Sequence, residues 1–534
     1  MKKLLHVDGL SLEQGKGIDN YTVIKGAVHQ CLRGGFSGLM LPEGRYEVYN
    51  QKALDLYSSL MTGEISALDE DRMYEERNVV FDIENVSGFT ICGKDTVLEF
   101  DGLIQPFNCV NVNGITIKDI TVDWLNPPYS VVKVIGKQQK RIYIYPYEQY
   151  KLIGGEPIVS TTNIDYTTGK QGGEAIYSDI SNVQCSDDGQ LSFCCAEPET
   201  ITVGEDLVLR HIYAFAAGMH FYRSSDILLE SVTMHAAAGM GLIAHKCRNV
   251  TVFNHKVIPS KGRMMSTNCD ATHFIGCSGK IVIQNSCFEA MGDDAMNVHS
   301  FYLQIREIEG NKLYAVQGRN SQDHIPYYPD PGQQIEFIDL DTMLPYAGAQ
   351  ITEVAFDEKK GMYCLTLNQD VPCRVKVMDC VSNMSELAEL VFENNIVKNI
   401  RGRGVILSSH NAVIKNNIFQ GCTCEGIVLP QGMGPWWESK SAQNADISRN
   451  TMIGCGFAPE RYCRSSGITL RTSAKEKHPG IFKNIRICEN VISGDKVPLN
   501  IECASDLIVK DNRLDSPSGN IKISNSENSL IQFF

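Results

Sequence analysis

Three carboxylates are gathered in one short stretch of this chain. Asp270 lies in Asp270-Ala271-Thr272-His273, and Asp293 and Asp294 lie in Gly292-Asp293-Asp294-Ala295-Met296-Asn297-Val298-His299. Asp270 and Asp293 are 23 residues apart. Hydrolysis of a glycosidic bond needs such a set: one carboxyl protonates the leaving oxygen, and another activates water or attacks the anomeric carbon. Three carboxyls in close contact do not all ionise near neutral pH, because like charges raise one another's pKa. The retained proton is assigned to Asp293, the middle member, with Asp270 and Asp294 holding the water as bases. Arg263, His273, Asn297 and His299 flank the set and are candidate partners for sugar hydroxyls; His211, His235 and His245 fall in the stretch before it. Trp436 and Trp437, two of the three tryptophans, share a Gly/Pro loop (432–438) and are a candidate platform for the apolar face of a sugar. Aspartates beside glycine also serve as plain turn residues, and Asp/Asn/His sets also hold Ca²⁺ or Mn²⁺. No metal and no cofactor is expected here.

A repeat is what brings these residues together. Phe392-Glu393-Asn394-Asn395-Ile396 matches Ile414-Lys415-Asn416-Asn417-Ile418 at a shift of 22 residues, and Asn490-Val491-Ile492 matches Asn512-Arg513-Leu514 at the same shift. Ile227-Leu228-Leu229 matches Val250-Thr251-Val252 at 23, and Ile281-Val282-Ile283 continues the series. Each unit holds short β-branched runs with period-2 alternation, cut by Gly, Asn or Ser. Units of this length that cannot bury their inward side chains alone must stack, as coils of a right-handed parallel β-helix. Stacked coils lie about 4.8 Å apart, so the spacing predicts Asp270 and Asp293 almost above one another, with Asp294 beside them. Repeated asparagines at one turn predict a ladder of side-chain amides.

The expected architecture is all-β: a parallel β-helix with two inserted small β-barrel domains. Residues 1–125 hold an N-terminal cap and the first coils. Val23, Ile24, Ala27, Val28, Cys31 and Leu32 recur at helical spacing, with Asp19 or Asn20 as the cap residue. Residues 126–210 and 305–385 break the coil period with alternating strands and Gly/Asp turns, and form the insertions. Residues 211–304 form the central coils with the site, and 386–534 the C-terminal coils.

Composition limits the partners. The 63 acidic against 49 basic residues give a net charge of −14, which argues against nucleic acid, since phosphate binding needs a basic footprint. No apolar run is long enough for a membrane span. Met1-Lys2-Lys3-Leu4-Leu5-His6 leads into no apolar signal region, so a cytoplasmic location is expected, unless a signal was removed. The odd count of 19 cysteines, many in strand-like runs, reads as reduced core thiols. A carbohydrate is the expected partner, and a homodimer is kept open.

The Asp-x-Thr-His segment at 270–273, the Gly-Asp-Asp-Ala-x-Asn-Val-His segment at 292–299, Ala238-Gly239-Met240-Gly241, and Val122-Asp123-Trp124 with Pro127-Pro128 together resemble glycoside hydrolase family 110. That resemblance implies a β-helix interrupted by two β-barrel domains and an exo-acting, inverting α-galactosidase that removes terminal α-1,3-linked galactose. It implies Asp293 as the acid, with Asp270 and Asp294 as the bases. Polygalacturonases share the fold and a similar aspartate set, but their Gly-His-Gly and Arg-Ile-Lys motifs do not occur here. A polygalacturonase-like enzyme and a non-catalytic glycan-binding solenoid are the competing readings.

Overall fold

Strand after strand, the chain returns to lie parallel on its previous turn. Ile115, Ile227, Val250, Ile281, Leu390, Ala412, Ala445, Ile485 and Leu507 are register neighbours in one continuous ladder. The computed structural model describes residues 3–7, 20–165, 167–177, 179–213, 215–318, 323–458, 466–494, 497–515 and 521–533. The fold is a right-handed parallel β-helix. Its inward positions are the β-branched and aromatic residues of the repeat. Phe288, Phe392 and Phe419 stack on successive coils with ring centroids 6.2 and 6.3 Å apart.

The asparagine ladder is present. Asn395, Asn417, Asn450, Asn490 and Asn512 occupy one buried turn of five coils. Each of the last four accepts the backbone N–H of the asparagine one coil before it, at 2.9–3.0 Å. Asn394 and Asn416, just before the first two rungs, take left-handed backbone (φ 57° and 56°), which asparagine tolerates well. The ladder pays the hydrogen-bonding debt of a buried turn that has no strand partner.

The N-terminal cap is the helix Asn20–Gly34, which buries Ile24, Val28 and Cys31 against the first coils. Asn20 is its first residue, and its side chain donates to the Glu47 carbonyl at 2.8 Å; Asp19 lies outside the described residues. Two further helices, Gln51–Met61 and Glu70–Glu75, were not anticipated. The first is capped by the Asn50 side chain, which accepts from the Ala53 backbone, and it buries Ala53, Leu56 and Leu60. No helix among the described residues is long and apolar enough to cross a membrane.

Twice the chain leaves the stack and rejoins it in register. After strand Asn113–Trp124 it forms a seven-stranded antiparallel sheet between Tyr129 and Arg210, an open path of strands where a barrel is expected, then resumes with Met219–Tyr222 on Ile104–Val110 and Ser225–Glu230 on the strand it left. After strand Met296–Phe301 it forms a closed six-stranded barrel from Leu303 to Asn383. That barrel packs Leu303, Ile305, Phe337 and Ile351 against Ile243 and Ile275, which point outward from the helix. The described cysteines are free thiols and most are buried.

Candidate active site

The site lies on the sheet that includes strands Leu242–His245, Thr272–Ile275, Met296–Phe301, Val405–Leu407, Ile427–Gln431 and Ser466–Thr472. Alternation along each strand sorts the residues. Phe274, Met296 and Val298 enter the helix core, while His273 and Asn297 face out. Asp270, Asp294, Arg403 and Glu425 stand at the corner leading into four consecutive strands.

The corner brings the three aspartates together, with one carboxylate oxygen of each within 4.8 Å of the others. The register is 24 residues rather than 23, since Thr272 pairs with Met296. Asp270 therefore lies under Asp294, and Asp293 is the neighbour to the side. This corrects the expected pairing; the cause is that the strand begins at the same step after the corner in both coils. The Asp294 N–H donates to Asp270 Oδ1 at 3.2 Å. Asp294 Oδ1 in turn accepts the Arg403 N–H at 2.6 Å and has Arg403 Nη1 at 3.5 Å. Gly402 makes room for it, because a Cβ there would stand 2.3 Å from that oxygen. Asp293 Oδ2 has Arg401 Nη1 at 3.5 Å.

Burial raises all three carboxyl pKa values. Asp270 is raised well above the ordinary range by desolvation and by Asp294. Asp294 is raised to about 7 by desolvation, against the pull of Arg403. Asp293 is raised to about 6 by desolvation and by Asp270. All three carboxyls are thus held toward the protonated form, Asp270 and Asp294 the more strongly because they are the more deeply buried. Their side chains are 6% and 8% exposed against 33% for Asp293.

His273 and His299 continue the network. His299 Nδ1 lies 2.7 Å from the Ser300 carbonyl, which only accepts, so that nitrogen carries the hydrogen. Its Nε2 then accepts from His273 Nε2, 2.7 Å away, when His299 is neutral. Burial lowers both histidines, His299 to about 4, and favours that neutral state. His273 Nδ1 meets Asp270 Oδ2 at 2.7 Å, so one proton lies between this carboxyl and this imidazole. His273 lines the cavity; His299 lies beneath it, edge-on to Phe301.

A cavity of about 750 Å³ opens over the aspartates. Asn297, Trp436 and Trp437 line it, as does Glu438, whose Oε1 accepts from Asn297 Nδ2 at 3.3 Å. The Trp437 carbonyl accepts the Tyr302 N–H at 2.8 Å, and its ring crosses Gly318 so closely that a Cβ there would stand 2.7 Å from it. Trp437 thus anchors the loop as well as walling the cavity.

Arg263 is not in the cavity. Its guanidinium is used up by Asp123 Oδ1 at 2.7 Å and by the Trp124 and Leu125 carbonyls. It ties the central coils to the point where the first insertion departs, and its expected sugar contact is withdrawn. His211 bonds Ser130 and the Pro157 carbonyl, His235 the Ile258 carbonyl, and His245 Asp323.

Arg210, Arg403, Glu438 and Arg471 line the cavity and were missed. Arg403 is one coil from Asp294 in space but 109 residues away in sequence, because the second insertion lies between. Glu438 arrives on a return loop that pairs antiparallel with Met296–Phe301, for which no periodicity gives a signal.

Among the described residues, two sets of three ligand-type atoms could face a cation: Asp270, Asp293 and Asp294, and His273, His299 and Glu438. In the second, the 2.7 Å between imidazole nitrogens is a hydrogen-bond length. Two nitrogens on one tetrahedral zinc would stand roughly 3.3 Å apart. A shared proton fits that spacing better than an ion.

Residues 365–533 match a family model described as Protein of unknown function (DUF1565). An α-1,3-galactosidase B of Phocaeicola vulgatus is 25% identical over 447 residues, covering 78% of this chain and 72% of its own. An α-1,3-galactosidase A of Bacteroides fragilis is 25% identical over 462 residues, 82% of this chain and 74% of its own. An α-1,3-galactosidase B of Bacteroides thetaiotaomicron is 24% identical over 522 residues, 91% of this chain and 82% of its own. Among solved structures, the Yersinia enterocolitica family 28 exopolygalacturonase aligns with 99% of this chain and 79% of its own, at 11% identity and a TM-score of 0.39. The resemblance to glycoside hydrolase family 110, carried by a few segments in the sequence, is thus a similarity to α-1,3-galactosidases along most of the chain.

Proposed function

We propose that this chain is an exo-acting, inverting glycoside hydrolase that removes terminal α-1,3-linked galactose. The observation that carries the reading is the trio of aspartates lining one cavity, two deep in its floor and one more exposed. A general acid must reach the glycosidic oxygen and hold a proton near neutral pH. Asp293 meets both needs, with a third of its side chain exposed and a pKa of about 6. In the competent form Asp294 is the anion, its Oδ1 facing the Arg403 backbone N–H and guanidinium, and it accepts the proton of the attacking water. Asp270 holds that water from the coil below.

In the step, the bond from the anomeric carbon to the leaving oxygen breaks as Asp293 delivers its proton. The water oxygen bonds to that carbon, and its proton passes to Asp294. The carboxylate oxygens are closer than the ~6.5–9.5 Å usual for inverting pairs, so the water attacks from beside Asp270 and Asp294 rather than between acid and base.

The names of the relatives support galactose as the sugar and the α-1,3 linkage. A neutral sugar suits the cavity, because its arginines are already engaged: Arg403 with Asp294 and Glu425, Arg471 with Glu425, and Arg210 with Asn268 and the Tyr213 carbonyl. Proton NMR of α-1,3-galactobiose hydrolysis tests the reading. β-Galactose is expected as the first product. α-Galactose first would overturn the inverting half, and no release from any α-galactoside would overturn the whole.

A further inference from the structure

The cavity does not stop at the aspartates. Beyond Asn297 its floor runs over Ile406, Val428 and Pro430 to Arg471, Thr472 and Ser473. Asn297, Ile406 and Val428 are register neighbours on consecutive coils, and Pro430 pairs with Arg471 on the next. Three coil steps of about 4.8 Å cover about 14 Å, more than a single terminal sugar resting on Asp293 spans.

A line of alternating charge follows the same direction. Arg403 Nη1 is 3.5 Å from Asp294 Oδ1, and Arg403 Nε is 3.6 Å from Glu425 Oε2. Glu425 Oε1 is 3.5 Å from Arg471 Nη1. Glu425 is fully buried, with one carboxylate oxygen toward each arginine. Arg471 is the outer end of the line, with a side chain 26% exposed. Among the described residues its guanidinium has that one ion pair and makes no hydrogen bond. A charged fork that faces a buried carboxylate on one side and a cavity on the other is suited to reading hydroxyls, since a planar guanidinium donates two parallel bonds to adjacent oxygens.

We propose that Arg471 selects the sugar on the reducing side of the scissile bond, donating to two neighbouring hydroxyls of a neutral hexose that lies on Ile406, Val428 and Pro430. The inference rests on the glycosidase reading above and adds to it a second binding position and the residue that reads it. Thr472, hydrogen-bonded through Oγ1 to Gln431 Oε1 at 2.6 Å, keeps the strand end in place.

The test compares two substrates. α-Galactosyl fluoride carries no sugar as leaving group and reports the terminal position alone. A linear trisaccharide ending in α-1,3-galactose uses both positions. The ratio of kcat/KM for the trisaccharide to that for the fluoride should fall about tenfold in Arg471→Ala, the size of one good hydrogen bond to a charged donor. Arg471→Lys keeps the charge but loses the fork, and should show most of the same fall; it also serves if the alanine variant does not fold. An unchanged ratio in both variants overturns the inference while leaving the glycosidase reading intact. A wild-type protein inactive on both substrates overturns the glycosidase reading, and this inference with it.

Discussion

Asp270 and Asp294 are vertical neighbours: the Asp294 backbone N–H donates to Asp270 Oδ1 across one coil at 3.2 Å. Both carboxyls lie deep in the floor of the cavity, and Asp293 beside them is the more exposed. The division of labour between proton donor and proton acceptor follows from that difference.

Asp293→Asn should abolish hydrolysis of α-1,3-galactobiose by about 10²–10⁴-fold, the range for loss of a general acid, with an unchanged circular dichroism spectrum. Full activity would remove Asp293 from the chemistry. Asp294→Asn should lose at least as much, because it takes the proton acceptor from the water.

The pH profile of kcat/KM should be bell-shaped. Activity needs Asp293 protonated and Asp294 ionised. The acid has a pKa of about 6 and the base about 7, so the competent form peaks between those values and is scarce on either side. The two limbs belong to the coupled set rather than to single residues. Initial rates from pH 4 to 9 at low substrate concentration measure it, and a flat profile across pH 5–8 would contradict the assignment.

The same carboxyls should cost stability. Their folded pKa values lie above the ordinary value near 3.9, so the folded state binds more protons than the unfolded chain between about pH 4 and 7. Stability from these groups therefore falls as pH rises through that window. Asp294→Asn removes the penalty while its oxygen still accepts from Arg403. It should raise Tm at pH 7 by about 1–3 °C and leave Tm at pH 4 unchanged, as scanning calorimetry at the two pH values would show.

Arg263→Ala should destabilise without changing KM. The variant strands Asp123, whose side chain is 7% exposed, and breaking a buried pair costs about 3–5 kcal/mol. A lowered Tm with a near-normal KM is the expected result. A KM raised tenfold in a protein of normal Tm would return Arg263 to the binding site.

Much of this was legible in the amino-acid sequence. Local repetition revealed the coils, because each turn must present the same inward β-branched and aromatic positions and the same outward polar ones. The ladder from Asn395 to Asn512 follows from that alone, as does the convergence of Asp270 with the 293–294 pair. The helix Gln51–Met61 escaped notice because it lies outside the repeat and its apolar face is narrow, burying only Ala53, Leu56 and Leu60.

Tertiary structure decided the rest. Which of Asp293 and Asp294 stands over Asp270 depends on the length of one corner, a shift of one residue that the repeat does not resolve. Arg403 and Glu438 reach the site across an inserted barrel and along a return loop, distances in sequence that no period connects. Arg263 looked like a sugar ligand because it is near the aspartates in the chain, yet the fold hands its guanidinium to Asp123. Proximity along the chain is a local property. Burial and charge neutralisation are properties of the packed molecule, and they set which carboxyl holds the proton.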